Sequence, residues 1–162
     1  MRTESAILDV ISHSVEQTRR LGTRLAEWLE PGDVLLLNGN LGAGKTVFAQ
    51  GVATGLGVDE PVTSPTFTLI HEYEGRLPLY HVDLYRIAGD VEAGDLGLED
   101  YLYGDGVTLI EWPDRATGLV PPAHLAVTLR LVADTKRAIR FEPAGERYVR
   151  LLTTFKRSAF GV

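Results

Sequence analysis

Three features of the sequence predict a three-layer α/β domain on a mixed sheet. The apolar run Val34–Leu37 leads into a glycine-rich loop, Gly39 to Gly44, and a helical stretch opens at Lys45. A second apolar run, Val107–Ile110, ends on the carboxylate Glu111. The C-terminal half carries further strand-like stretches, which turns the expectation from a purely parallel sheet to a mixed one.

The elements follow in order. A first helix is expected over Val15 to about Leu29, with Ser14 as its cap and Gln17 completing a capping-box pattern. Val15, Leu21, Leu25 and Trp28 or Leu29 recur at helical spacing and give it one apolar face. Pro31-Gly32-Asp33 turns the chain into Val34–Leu37, a strand apolar on both faces. A second helix should run from Lys45 to Leu56, with Gly57 near its end. Thr66–Ile70, with Tyr73 at its far end, and Leu79–Asp83 read as two strands of a hairpin around the turn Gly75-Arg76. Ala88 to Leu102 is acidic and glycine-punctuated, and reads as short helical turns, one of them over Glu99 to Leu102. Beyond Val107–Ile110 and the break at Pro121-Pro122, three stretches read as strands: Leu125–Leu131, Arg137–Phe141 and Tyr148–Leu152.

Composition narrows the function. A chain of 162 residues that is 44% hydrophobic and 23% charged is expected to be a single domain, residues 1–162, with a core of its own. The net charge of −6 argues against a broad nucleic-acid-binding surface. The absence of cysteine excludes thiolate catalysis and cysteine-ligated metal centres. No apolar run approaches the roughly 20 residues of a spanning helix, and no secretory pattern stands at the start, so a cytoplasmic location without membrane attachment is expected.

Gly39-Asn40-Leu41-Gly42-Ala43-Gly44-Lys45-Thr46 fits G-x-x-x-x-G-K-[ST] at every fixed position, between a buried strand and a helix. The chemistry needs these residue types. Glycines let backbone N–H groups close around phosphate oxygens, and the helix N-terminus adds partial positive charge. Lys45 can reach the β- and γ-phosphates, and the Thr46 hydroxyl can ligate Mg²⁺. A metal held there also needs a carboxylate at the end of a buried strand. Asp83 and Glu111 both qualify, and pattern alone leaves open which faces the metal and which the attacking water.

Between the loop helix and the next strand lies Thr63-Ser64-Pro65-Thr66, where switch-type NTPases sense the γ-phosphate. Arg86 is a candidate for a phosphate or an acidic partner, and Trp112 for a lid or partner contact. His81 reads equally well as a packed strand residue. The four histidines form no zinc pattern. With no Asn-Lys-x-Asp segment, ATP is favoured over GTP. A small metabolite or nucleoside kinase and a non-catalytic ATP-gated adaptor stay open as alternatives, although Gly89–Gly106 makes a poor arginine lid for a kinase.

Three further segments, at this order and spacing, are more diagnostic than the loop: Ser64-Pro65-Thr66-Phe67, His81-Val82-Asp83-Leu84-Tyr85-Arg86 and Glu111-Trp112-Pro113. Together with the loop they make the chain resemble the TsaE (YjeE-like) family, the ATPase component of bacterial tRNA threonylcarbamoyladenosine synthesis, over nearly its full length. The resemblance implies a P-loop NTPase fold with a mixed, mostly parallel sheet of about seven strands, and ATP and Mg²⁺ as ligands. It implies phosphate and metal contacts for Lys45 and Thr46, a metal-site acid in Glu111, and an acid needed for hydrolysis in Asp83. Ser64, Pro65 and Thr66 match the switch-like segment. The adenine is expected near Thr18 and Arg137. TsaD and TsaB are the implied partners, TsaD being the protein that modifies adenosine 37 of tRNAs reading codons that begin with A. The ATPase would act on tRNA only indirectly, resetting the TsaD–TsaB pair, and would be weak alone and stimulated by that pair.

Overall fold

The computed structural model describes residues 6–40, 42–63 and 69–161. Seven strands form one sheet: β1 (Leu8–Ser12), β2 (Val34–Asn38), β3 (Ile70–Tyr73), β4 (Leu79–Asp83), β5 (Val107–Glu111), β6 (His124–Ala133) and β7 (Lys136–Ala144). Their order is β1-β7-β6-β2-β5-β4-β3. The central strands β6, β2, β5 and β4 are parallel neighbours, while β3, β7 and β1 pair antiparallel at the two sides. Five of the seven strands (β1, β2, β4, β5 and β6) therefore run the same way, as expected for a mixed, mostly parallel sheet.

Strand alternation builds two cores. Leu35 and Leu37 of β2, with Leu109 of β5 and Val127 of β6, face helices α1 (Val15–Ala26), α2 (Lys45–Gly55) and α5 (Glu146–Phe160). Val34 and Leu36, with Val82 and Ile110, face the short helices α3 (Asp90–Asp95) and α4 (Leu98–Leu102) and the 3-10 turn Pro113–Ala116. The sheet is thus covered on both sides, which is why its central strands read as unbroken apolar runs.

Helix α1 starts as its sequence dictates. The Ser14 hydroxyl accepts from the Gln17 N–H at 3.1 Å, and the Gln17 side-chain Oε1 accepts from the His13 N–H at 2.7 Å. Its apolar face is narrower than expected: Leu21, Leu25 and the following Leu29 are buried, but Val15 is 51% exposed and Trp28 39%. Helices α1 and α2 touch backbone to backbone. A Cβ on Gly51 would lie 1.9 Å from the Arg19 carbonyl oxygen, and one on Gly22 would lie 2.4 Å from that of Phe48.

Two elements differ from expectation. Tyr148–Leu152 is not a strand but the first half of α5. Tyr148, Leu151, Leu152 and Phe155 are its buried residues, an i, i+3, i+4, i+7 set that becomes plain only over the whole fifteen-residue helix. The strand β1 was not anticipated; it is five residues long and is fixed by tertiary pairing with β7, from Leu8 opposite Phe141 to Ser12 opposite Arg137. Of the expected strand Thr66–Ile70, residues 66–68 lie outside the described residues; the expected hairpin forms between Ile70–Tyr73 and Leu79–Asp83, which pair antiparallel. Among the described residues no helix is long and apolar enough to cross a membrane.

Candidate functional site

Strands β2, β4 and β5 end side by side, and their C-terminal edge presents the chemistry. From β2 the chain enters the loop at Gly39, whose φ of +148° suits glycine and where a Cβ would lie 2.6 Å from the Leu129 carbonyl oxygen. It enters α2 through Gly44, whose φ is +105°. Lys45 and Thr46 are the first two residues of α2, so the unpaired N–H groups of that helix's first turn open toward the loop. The loop is braced from behind by Arg137 of β7, whose Nε donates to the Ala43 carbonyl at 3.1 Å and whose Nη2 reaches that of Gly42 at 3.4 Å.

Lys45 is 6% exposed. Its Nζ stands 3.7 Å from Oε1 of Glu111 and 4.1 Å from the ring centre of Trp112. Glu111 closes β5 and is itself buried, with His81 Nε2 at 2.6 Å from its other oxygen, Oε2. Asp83 closes β4 as the register partner of Glu111, so both carboxylates project from one face of the sheet. Asp83 is half-buried and accepts from the Tyr85 N–H at 2.9 Å. Burial pushes its carboxyl above the ordinary carboxylate value, the Tyr85 N–H opposes that shift, and the charge of Glu111 adds to it.

Trp112 follows Glu111 with φ of +59°, the one described non-glycine residue with positive φ, a conformation that costs energy in an aromatic residue. Its ring packs on Tyr85 at 4.9 Å between centroids. Together with Asp114 it walls a crevice of about 240 Å³ against Asn38, Gly39 and Asn40.

The structure therefore brings together Gly39, Asn40, Gly42, Ala43, Gly44, Lys45, Thr46, Asp83, Glu111 and Trp112 of the sequence candidates. Thr18 and Arg137 meet at a small cleft of about 30 Å³ beside Gly44; the Thr18 hydroxyl is buried there against Ser12 Oγ at 2.7 Å. Arg86 is exposed on the segment after β4. Leu41, Ser64, Pro65 and Thr66 lie outside the described residues. Two contributors were not read from sequence. One is the bond from His81 to Glu111, for which the only signal was that His81 and Asp83 alternate onto one strand face. The other is the grip of Arg137 on the loop carbonyls, which depends on the β6–β7 hairpin and left no local signal.

The arrangement suits a polyphosphate with a hard divalent cation. It offers a glycine cradle, a buried cation at a helix start, a hydroxyl and two carboxylates. Among the described residues no three histidine or acidic side chains converge as a metal cluster. Magnesium held through phosphates needs only one or two protein carboxylates, so the donor set fits it.

Fold and loop together define a protein of the P-loop NTPase class. Within that class the chain belongs to the TsaE family: the family model described as threonylcarbamoyl adenosine biosynthesis protein TsaE matches residues 12–139. The tRNA threonylcarbamoyladenosine biosynthesis protein TsaE of Treponema pallidum is 46% identical over 129 residues, 80% of this chain and 96% of that protein. The Bacillus subtilis protein of the same name is 44% identical over 143 residues, 88% of this chain and 89% of the relative. The crystal structure of Bacillus subtilis YdiB superposes with a TM-score of 0.84 at 38% identity, covering 94% of this chain and 95% of that one.

Proposed function

We propose that the chain is the ATP-binding and ATP-hydrolysing subunit of tRNA threonylcarbamoyladenosine synthesis, a single-domain cytoplasmic protein that resets a TsaD–TsaB complex rather than acting on tRNA itself. One observation carries the reading: the buried Lys45 of the loop stands against Glu111, and Glu111 stands in register with Asp83.

The roles follow from that placement. Backbone N–H groups from Gly42 to Thr46 and the Lys45 ammonium bind the phosphates. Thr46, Glu111 and Asp83 are the residues that would hold Mg²⁺, which when bound neutralises charge on the β- and γ-phosphate oxygens. Both oxygens of Glu111 already have cationic or N–H partners, which suits it to the metal side of the site. Asp83 is more open and its carboxyl holds a proton more readily than an ordinary one, which suits it to orienting the attacking water. The adenine is placed toward Thr18 and Arg137. Ser64, Pro65 and Thr66, with Arg86 and Trp112, are assigned to the switch and the partner surface. Partner docking that orders such a segment and excludes water raises turnover by orders of magnitude, so activity is weak alone and stimulated by the pair.

The test is Mg²⁺-dependent ATP hydrolysis by the purified chain, alone and with TsaD and TsaB, beside Lys45→Ala and Glu111→Ala. Stimulation that both substitutions abolish is expected. ATP and partner binding with no turnover in either setting would replace this reading by a non-catalytic adaptor. Phosphate transfer to a small metabolite would replace it by a kinase.

A further inference from the structure

We infer that His81 is a positioning residue for Glu111: its imidazole donates from Nε2 to Oε2 and holds the carboxylate so that Oε1 alone faces the phosphate loop. This rests on the reading of Glu111 as an acid of the site.

The two oxygens of Glu111 have separate neighbours. Oε2 lies 2.6 Å from His81 Nε2, whereas Oε1 lies 3.7 Å from Lys45 Nζ. A carboxylate only accepts, so the hydrogen of the short bond sits on Nε2. His81 Nδ1 is buried and has no hydrogen-bond partner among the described residues. With the hydrogen on Nε2, Nδ1 carries a bare lone pair and no N–H donor is orphaned.

The setting makes histidine an unfavourable choice for packing alone. His81 is wholly buried in the middle of β4, between His71 of β3 and Leu109 of β5. It shares its sheet face with Leu79, a fully buried residue of the core on that side of the sheet. An aliphatic or phenyl side chain would fill that place without leaving a polar atom unpaired. What histidine adds is an N–H on a rigid ring, anchored in a strand and aimed at the last residue of the neighbouring strand.

That aim matters because Lys45 serves two ends. Its ammonium is the other close partner of Glu111, yet it is also the group that must turn to the phosphates. A glutamate whose only tether is this lysine loses it when nucleotide arrives. His81 holds the oxygen that Lys45 does not, so its bond survives that exchange. Groups of this kind orient a metal-facing carboxylate without touching the substrate.

The experiment uses the full chain with His81→Phe, His81→Asn and His81→Gln, beside Glu111→Gln. Phenylalanine keeps the ring volume and removes the donor. Asparagine keeps an amide that falls short of Glu111, whereas glutamine extends an N–H to about the position of Nε2. We expect His81→Phe and His81→Asn to lower kcat about 10- to 100-fold and to raise the Mg²⁺ concentration for half-maximal turnover. The KM for ATP should move less than about 3-fold, since uniform binding is untouched. His81→Gln should recover most of kcat.

A readout without nucleotide accompanies these. In melting of the nucleotide-free chain, His81→Phe and Glu111→Ala together should cost less than the sum of their separate costs. If His81→Phe does not fold, the Asn/Gln comparison stands in its place. Folded Phe and Asn variants with unchanged kcat, or a Gln variant as impaired as the Asn variant, overturn the inference while leaving the site reading intact. Unchanged turnover in Glu111→Gln overturns both.

Discussion

Asp83 and Glu111 sit directly opposite each other across the parallel β4–β5 pair, two carboxylates on one sheet face at the end where the loop opens. Burial and the like charge of Glu111 both work against an ionised Asp83. Burial is the main cause that raises the Asp83 carboxyl above its ordinary value of 3.8, and the charge of Glu111 adds to it. The folded chain therefore binds this proton more readily than the unfolded chain. The penalty is absent below 3.8, grows as pH rises from there through the raised folded value, and is fully present above it. Asp83→Asn should consequently raise the melting midpoint of the nucleotide-free protein at neutral pH. Half-exposure lets solvent screen the repulsion, so the rise is up to about 2 °C. The gain should vanish in melts below the carboxylate range. The same variant should lose ATP turnover by about 100-fold or more. A variant that is less stable at neutral pH than at acid pH relative to the parent would contradict the sign.

How far this was legible in the sequence varies by element. The loop, its strand and its helix were fully written in local pattern, because glycine spacing and an apolar run are properties of neighbours in the chain. The pairing of Asp83 with Glu111 was half-legible: both carboxylates ended strands, but only the sheet order placed β4 beside β5. Strand β1 and helix α5 were not read correctly for opposite reasons. The first is too short to show its period without β7 beside it, and the apolar face of the second shows only over the whole helix, from Tyr148 to Phe155. His81 and Arg137 act through contacts between segments distant in sequence, and no window contains both partners.

Asp33 illustrates a structural charge that pattern also hid inside a turn. It is 4% exposed and is gripped by Arg147 of α5, Nε to Oδ1 at 3.0 Å and Nη2 to Oδ2 at 2.6 Å. Its Oδ2 also accepts from the Glu30 N–H at 2.7 Å. Arg147 thus fastens α5 to the turn that feeds β2. Arg147→Ala leaves a buried carboxylate unpaired and should cost about 2–3 kcal/mol, less than a fully buried pair because the arginine is partly exposed. Arg147→Lys should recover little, since it cannot repeat the two-pronged contact. Urea unfolding with unchanged slope would measure this, and ATP affinity should stay within about 2-fold because the clamp is remote from the loop.

The backbone contact of α1 with α2 predicts a cost that reaches the site. A Cβ at Gly51 falls 1.9 Å from the Arg19 carbonyl oxygen, and no side-chain rearrangement relieves a clash with backbone. Gly51→Ala must push the helices apart, at about 1–3 kcal/mol or more. Because Lys45 and Thr46 begin the same helix, ATP affinity should fall with stability. Gly94→Ala is the contrasting case. Its Cβ meets nothing within 4 Å on helix α3, so it should be neutral or stabilise by about 0.5–1 kcal/mol. Equal melting midpoints for the two variants would contradict the packing account.

Trp112 offers a direct view of Lys45. The ammonium lies 4.1 Å from the indole centre, a cation held against the ring face. Arrival of a polyphosphate gives Lys45 a stronger, charge-assisted partner. The cation then leaves the ring, and the polarity around the indole changes. The chain has two tryptophans, Trp28 just beyond the end of α1 and Trp112. In Trp28→Phe the emission reports on Trp112 alone. Titration with ATP or ADP should shift or change its intensity with a saturating curve. In the double variant with Lys45→Ala the starting emission should already differ from that of Trp28→Phe, and nucleotide should move it little. Saturation of Trp28→Phe with nucleotide, confirmed by calorimetry, without any change in emission would mean that Lys45 keeps its place on the ring in the bound state.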